Sequence, residues 1–397
     1  MATVSKTLLG TYVGTLDDTN AAAQAGVTAQ YNTFVSAMGQ GATVIDTYID
    51  NGVPESQWAG DAQWAADSMK AASWAANMIP CIGLPMAYNG ESADQAFQNI
   101  ASGSEDSVFN GIFQAFANDG YKQFYIRPGV EMNGNWDPWS VTAANAADFV
   151  AAFQRIAALA HAFTGATIQV VWNPNVGSTP VPISQLYPGN SAVDVVGLDS
   201  YGEPVNYDAS PSDNSTSSSD ITLQDVLALA KANNKPFALP ETGGTDATFP
   251  ALLASTIAAS GVPVAFMNIW DANGDYGNLS WSAPADNAAA AAAAWKQAYA
   301  TIAAASVAGT TTPVTPPVTV TPSANDTVVL AGSSAHLTDA SGNLWTVTSG
   351  NQVAVNGVAD TTTSNVAEIA YVNGEVWHEN TSGVWYGKTS PTAAWAY

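Results

Sequence analysis

Cysteine is nearly missing from this 397-residue chain: Cys81 is the single one. That excludes an internal disulfide and any metal cluster built on thiolates. Cys81 lies in Ile79-Pro80-Cys81-Ile82-Gly83-Leu84, an apolar run that reads as an inner strand, so a small buried core side chain is expected there. Histidine is almost as scarce. His161, His336 and His378 stand far apart and none has a spacing such as H-E-x-x-H, which argues against a zinc site. Basic charge is the third shortage, with 9 Lys and Arg against 33 Asp and Glu and a net charge of −24. Such a surface cannot neutralise phosphates, so neither a nucleic acid nor an anionic membrane is expected as a partner. No apolar run reaches the roughly 18 residues that a membrane span needs. The start, Met1-Ala2-Thr3-Val4-Ser5-Lys6, also lacks a basic region followed by an apolar stretch. A secreted, extracellular protein is still the expectation, with its signal peptide removed or its export by another route.

What is present is apolar and aromatic: 47% hydrophobic residues and 10% Phe, Trp and Tyr, enough for one large domain and one small one. Eight short apolar runs read as strands: Leu8–Val13, Ala42–Tyr48, Ile79–Leu84, Gln123–Arg127, Thr167–Trp172, Val193–Leu198, Pro236–Leu239 and Val264–Ile269. Several are continuous rather than alternating, as in strands covered on both faces. Helical patterns separate them. Asp61–Asn77 places Ala65, Met69, Ala72 and Ala76 on one face, and Asn145–Phe163, Ile221–Asn233 and Asp286–Ala305 are further candidates. Eight strand-helix units predict a (β/α)8 TIM barrel over residues 1–308. An open doubly wound sheet would alternate in the same way, but no G-x-G-x-x-G or P-loop motif marks a strand-helix junction. Gly202–Asp220 reads as a long exposed polar loop.

Residues 309–322 form a Pro/Thr linker, TTTPVTPPVTVTP at its heart, in which the prolines force extended backbone. Residues 323–397 read as a small all-β domain, with short β-branched runs broken by Ser341-Gly342, Ser349-Gly350, Asn356-Gly357, Asn373-Gly374 and Ser382-Gly383. It carries Trp345, Trp377, Trp385 and Trp395. Exposed tryptophans there would mark a carbohydrate-binding module; buried ones would mark a structural domain whose small core needs aromatics.

Two glutamates stand out. Glu131 follows the fourth strand in Arg127-Pro128-Gly129-Val130-Glu131-Met132-Asn133-Gly134. Glu241 ends the seventh run in Lys235-Pro236-Phe237-Ala238-Leu239-Pro240-Glu241-Thr242-Gly243. Barrel active sites are built at the C-terminal ends of strands. A pair of carboxylates there is what glycoside hydrolysis requires, one to protonate the leaving oxygen and one to attack the sugar or activate water. Alone, either acid reads as a solvated loop glutamate. Arg127 strengthens the case, because the chain has two arginines and one stands beside a strand end. Trp136, Trp139 and Trp270 offer ring faces for sugars, Asn133 and Asn173 offer amides for hydroxyls, and Tyr201 could keep a neighbouring carboxylate ionised. Asp271-Ala272-Asn273-Gly274-Asp275 opens like a calcium loop but lacks the glycine at position six and the closing glutamate, so no metal is expected there.

These residues resemble glycoside hydrolase family 26, a retaining family on a (β/α)8 barrel. The resemblance runs from about Leu8 to Ala305. It rests on RPGVEMNGNW, VVGLDSYG, KPFALPETG and the Trp ending the eighth strand. It implies Glu131 as acid/base, Glu241 as nucleophile, Tyr201 as the residue orienting that nucleophile, and Arg127 as electrostatic support. It also implies that Trp136, Trp139 and Trp270 line the sugar subsites. The family's mannanases usually carry His before the acid/base, where this chain has Val130. The expected function is a retaining endo-β-glycanase acting on a neutral polysaccharide by double displacement, without cofactor, as a secreted monomer. β-1,4-Mannan leads as substrate. A β-1,3-1,4-glucan or an exopolysaccharide cleaved on the same barrel, a catalytically inactive polysaccharide-binding protein, and a surface adhesin acting through its C-terminal domain are the alternatives.

Overall fold

Strands buried on both faces must close on one another or be capped, and here they close. The computed structural model describes residues 6–201, 220–274, 277–278, 288–309, 322–333, 335–340, 343–355, 358–391 and 393–396. Eight parallel strands follow in chain order: β1 (Leu8–Tyr12), β2 (Val44–Tyr48), β3 (Ile79–Leu84), β4 (Gln123–Pro128), β5 (Thr167–Trp172), β6 (Val195–Gly197), β7 (Phe237–Gly243) and β8 (Val264–Trp270). Each pairs with the next, and β8 returns to β1 through Leu8↔Phe266 to Tyr12↔Trp270, closing the barrel. Ser200–Tyr201 prolongs the line of β6 and pairs with Thr242 and Gly243. The fold is the (β/α)8 TIM barrel that the alternation of runs predicts.

The helices longer than one turn are α1 (Ala21–Met38), α2 (Glu55–Ala71), α3 (Ala93–Ser102), α4 (Asp106–Asn118), α5 (Ala146–Ala162), α6 (Leu223–Ala232), α7 (Phe249–Ser260) and α8 (Ala288–Gly309). Their ends follow local chemistry. Asn20 caps α1 through the Ala23 N–H, and Thr222 and Asp225 form a capping box on α6. The helix expected over Asp61–Asn77 begins earlier, at Glu55 after Pro54, and stops at Ala71, with Ala72 extended. Trp58, Ala62, Ala65 and Met69 are its buried stripe. The periodic reading found the right face but began it too late: Pro54 is the extended residue at the N-cap, and the helix starts directly after it.

Two apolar layers result. Side chains such as Phe34, Trp58, Phe113, Phe149 and Trp295 fill the space between strands and helices. Val44, Cys81, Tyr125, Val171, Val195, Ala238 and Phe266 plug the barrel itself, with the Tyr125 and Phe266 rings 4.5 Å apart. Cys81 is fully buried, as expected. Strand side chains alternate between faces. Two residues beyond Val44, Tyr125 and Val171, towards the C-terminal rim, the inward positions are Asp46, Arg127 and Asn173. The polar site is the next layer above the plug.

Contacts divide the chain into two compact units, Met1–Pro313 and Val314–Tyr397. The second holds two four-stranded antiparallel sheets. One comprises Thr327–Leu330, Val366–Val372, Glu375–Asn380 and Trp385–Lys388, the other Leu337–Thr338, Leu344–Val347, Val353–Val355 and Val358–Ala359. Val329, Leu337, Trp345, Val353, Val366, Ile369 and Val376 form their core. The expected loop over Gly202–Asp220 falls outside the described residues except for Asp220, and the linker stretch 310–321 and the turns at Ser341-Gly342 and Asn356-Gly357 fall wholly outside them. Among the described residues, no helix is long and apolar enough to cross a membrane.

Candidate active site

The turn after β4 is unusual backbone. Gly129 has φ +60°, and a Cβ there would meet the Met86 sulfur at 2.8 Å. Glu131 itself has φ +53°, a left-handed conformation that a glutamate seldom adopts. Its N–H is held by the Asn173 carbonyl at 2.9 Å, and its carbonyl accepts from Gly134 N–H at 2.8 Å. The chain then brings Trp136 back over Gly134, where any Cβ would overlap the indole. The Trp136 Nε1–H donates to Glu131 Oε2 at 2.7 Å, while the ring is 56% exposed.

Glu241 is held quite differently. β7 shifts register against β8 between Leu239 and Thr242, and Glu241 lies within that irregular stretch, inside the strand rather than just past it. Its Oε1 accepts from Arg127 Nη1 at 2.8 Å and from the Tyr48 hydroxyl at 2.5 Å, and its Oε2 accepts from the Tyr201 hydroxyl at 2.9 Å. Arg127, fully buried, also donates through Nη1 to Asn173 Oδ1 and through Nη2 to both oxygens of Asp46, each at 3.0 Å. Asp199 stands 3.5 Å from the same guanidinium.

The two glutamates meet: one carboxylate oxygen each from Glu131, Asp199 and Glu241 lie within 4.8 Å of one another. Four acids, Asp46, Glu131, Asp199 and Glu241, thus gather around one fully buried guanidinium. Burial first, then the Glu241 charge, pushes the Glu131 carboxyl up to about 8, against the pull of the Trp136 N–H. Burial and Glu241 likewise raise Asp199 well above the usual carboxyl range. Asp46 is raised to about 7 by burial, with Arg127 opposing. Burial, then Glu241, takes Asp137 to about 7.

Of the residues expected at the site, Arg127, Asn173, Tyr201, Glu131, Glu241 and Trp136 come together. Trp270 stands beside them, its ring 4.1 Å from that of Tyr12 and 6.3 Å from that of Tyr201. Two others do different work. Trp139, expected as a sugar platform, is only 6% exposed and spends its indole N–H on the Val130 carbonyl, so it packs beneath the turn. Asn133 is buried, its amide tying the Asn175 and Ser178 carbonyls, so it joins two loops rather than presenting its amide to a sugar. Val130 is buried too. Sequence reasoning missed Asp46, Tyr48 and Asp199. An acid inside the apolar run Val44-Ile45-Asp46-Thr47-Tyr48 was the available signal for the first two, since charge within a buried strand demands a partner.

A second close group of acids, Glu55, Glu91 and Glu105, also has oxygens within 4.8 Å of one another. Burial, then the charges of Glu91 and Glu55, raises Glu105 to about 7. These and the group Glu131, Asp199 and Glu241 are the described carboxylates spaced closely enough for a cation.

Comparison with known proteins points to one family and to the barrel fold. The profile of glycosyl hydrolase family 26 matches residues 113–299, a span containing both glutamates. Endoglucanase H of Acetivibrio thermocellus is 28% identical over 109 residues, which is 26% of this chain and 12% of that protein, so the match spans a small part of that relative's length. Among solved structures, a β-mannanase from a symbiotic protist of the termite Reticulitermes speratus, complexed with a gluco-manno-oligosaccharide, superposes with a TM-score of 0.50. It is 18% identical, over 74% of this chain and 86% of that one, a likeness of fold.

Proposed function

We propose that this chain is a glycosyl hydrolase of family 26, whose profile matches residues 113–299, and that it hydrolyses a neutral β-linked polysaccharide with retention of configuration. The observation that carries this reading is the separation of the carboxylates. Oxygens of Glu131 and Glu241 lie within 4.8 Å of each other. That suits direct attack on the anomeric carbon, for which the pair sits about 5 Å apart, and is too close for an intervening water.

Glu131, held protonated near neutral pH by burial and by its neighbour's charge, gives its proton to the glycosidic oxygen. Glu241, aligned by Arg127, Tyr48 and Tyr201, attacks the anomeric carbon. The C–O bond to the leaving sugar breaks and its electron pair stays with the departing oxygen. In the second step Glu131 takes a proton from water, the water oxygen bonds to the anomeric carbon, and Glu241 leaves as carboxylate. Trp136 and Trp270 border the sugar-binding cleft. No step requires a cofactor.

β-1,4-Mannan is the leading substrate and endo cleavage the leading mode, on the family resemblance. One observation favours a second reading. Val130, where the family's mannanases usually have His, is buried and carries no hydrogen-bonding group. A β-1,3-1,4-glucan or an exopolysaccharide is the substrate class that reading predicts. The protein acts outside the cell as a monomer. Its C-terminal unit is a carbohydrate-binding module: Trp345 belongs to the core, but Trp377 and Trp385 are only half-buried and share a sheet face through the pairs Trp377↔Gly387 and Glu379↔Trp385.

A 2-deoxy-2-fluoro glycosyl fluoride is expected to label Glu241. Product release from a panel of mannan, glucan, xylan and exopolysaccharides identifies the sugar. Absence of label together with intact glycan binding would replace the enzyme with a binding protein. Removing residues 323–397 should weaken pull-down on insoluble glycan while sparing hydrolysis of soluble oligosaccharide.

A further inference from the structure

The Tyr48 hydroxyl has one proton and two carboxylate neighbours. It lies 2.5 Å from Glu241 Oε1 and 2.8 Å from Asp46 Oδ2. Tyr201, the other phenol on Glu241, bonds Oε2 at 2.9 Å. Asp46 is itself fixed, with both oxygens 3.0 Å from Arg127 Nη2, and it is almost fully buried. The phenol is fixed as well. Its ring lies 5.1 Å from the Arg127 guanidinium carbon, edge-on to Tyr12 at 5.8 Å and tilted against Trp270 at 6.0 Å. Tyr48 can therefore change its acceptor by rotating one O–H bond, without moving any heavy atom.

We propose that Tyr48 is a positioning residue whose single hydroxyl proton points at Glu241 while that carboxylate is free and turns to Asp46 while it is bonded to the sugar. The inference rests on the retaining reading given above. The physical reason is the fate of charge on Glu241. As Glu241 attacks, an electron pair on its oxygen forms the bond to the anomeric carbon, and its negative charge is consumed. An ester oxygen is a poor acceptor beside an ionised carboxylate, so the Tyr48 proton is drawn to Asp46. When water displaces Glu241, the pair of the breaking C–O bond returns to the carboxylate, and the Tyr48 proton returns with the charge. No proton leaves the phenol oxygen in either step. A donor aimed at the nucleophile stabilises it before attack and so hinders the first step. The same donor stabilises the departing carboxylate and so assists the second. Asp46 relieves the hindrance by accepting the bond while the ester exists.

Tyr48→Phe removes the hydroxyl and keeps the ring contacts. Wild type and Y48F are compared on the 2,4-dinitrophenyl β-glycoside of whichever sugar the wild type releases, a leaving group that needs no proton from Glu131. The expected result is a kcat lower by about tenfold or more, a KM lower by a similar factor, and kcat/KM within about threefold of wild type. A pre-steady-state burst close to one equivalent of dinitrophenol should accompany it, with a glycosyl adduct on Glu241 in the intact mass. A role limited to packing would instead lower kcat/KM with KM unchanged and no burst, and that result overturns the proposal; so does an unchanged kcat. Matching near-ultraviolet dichroism of the two proteins establishes that Y48F is folded. Should it not match, Asp46→Asn supplies the second arm. With a neutral acceptor the proton stays on Glu241 through the first step, so kcat/KM is expected to fall more than kcat, and the reverse pattern overturns the proposal. The labelling of wild-type Glu241 separates the two failures. Without it the retaining reading falls; with it and a null Y48F result, only the role of Tyr48 falls.

Discussion

The turn from Gly129 to Trp139 and the strand from Phe237 to Gly243 each present one glutamate to the same few ångströms of space, and they treat it in opposite ways. The turn gives Glu131 one neutral donor, the Trp136 indole, and a half-buried position beside another acid. The strand gives Glu241 a guanidinium and two phenols. Burial and the neighbouring acid raise the proton affinity of Glu131, while Glu241 is met by three donors, a difference that suits the roles proposed for them. The difference lies in the donors, and the donors come from other strands: Arg127 from β4, Tyr48 from β2 and Tyr201 from the extension of β6.

The sharpest way to break this contrast is to remove the proposed nucleophile. Glu241→Gln is expected to cost on the order of 10^4-fold or more in kcat on every substrate, read by reducing-sugar release. Glu131→Gln should cost about 10^2- to 10^4-fold on polysaccharide. It should leave the first step on a dinitrophenyl glycoside nearly intact, and a similar loss on both substrates would reverse the assignment of roles. Arg127→Lys keeps the charge but loses the planar fork that reaches Asp46, Asn173 and Glu241 together, so a fall of about a hundredfold in kcat/KM is expected.

Smaller effects follow from proton affinity. The basic limb of kcat/KM should fall as pH rises through about 8, where Glu131 loses its proton. Trp136→Phe removes the donor that opposes this elevation, so the limb should move to higher pH. Stability should show the same chemistry. Between the ordinary carboxyl range and about 7 to 8, the folded barrel keeps protons on Asp137 and Glu131 that an unfolded chain has released. Stability therefore falls as pH rises across that window. The C-terminal unit runs the other way. Burial works to raise Asp360, but the hydrogen bonds of Lys388, Thr362 and Trp395 overcome it and hold the carboxyl below its usual range. Its contribution is present at neutral pH and lost in acid. Hydrogen exchange at pH 8 against pH 5 should show barrel strands loosening first, and at pH 3 against pH 5 the strands around Lys388.

The barrel was legible in the chain because its strands are covered on both faces and so read as unbroken apolar runs. β3 and β5 match their runs end to end, β4 and β8 run one residue further at their C-terminal ends, and β7 runs on to Gly243 because an irregular register carries Pro240 and Glu241. Arg127 was legible through scarcity. Asp46 and Tyr48 were not, since their purpose depends on the arginine two strands away in the barrel wall, a neighbour that local pattern does not reveal. Trp139 misled for the related reason that a tryptophan beside a site looks the same whether its ring faces out or packs in.

One residue bears the cost of this arrangement in its own backbone. At φ +53° Glu131 occupies territory that glycine or asparagine enters more easily, at a penalty of about 1 kcal/mol. A chain selected for endurance alone would discard it. Glu131→Gly should yield a protein that melts at a higher temperature and digests nothing, so a screen for heat resistance without an activity gate would drift towards erasing the very acid that the turn was bent to hold.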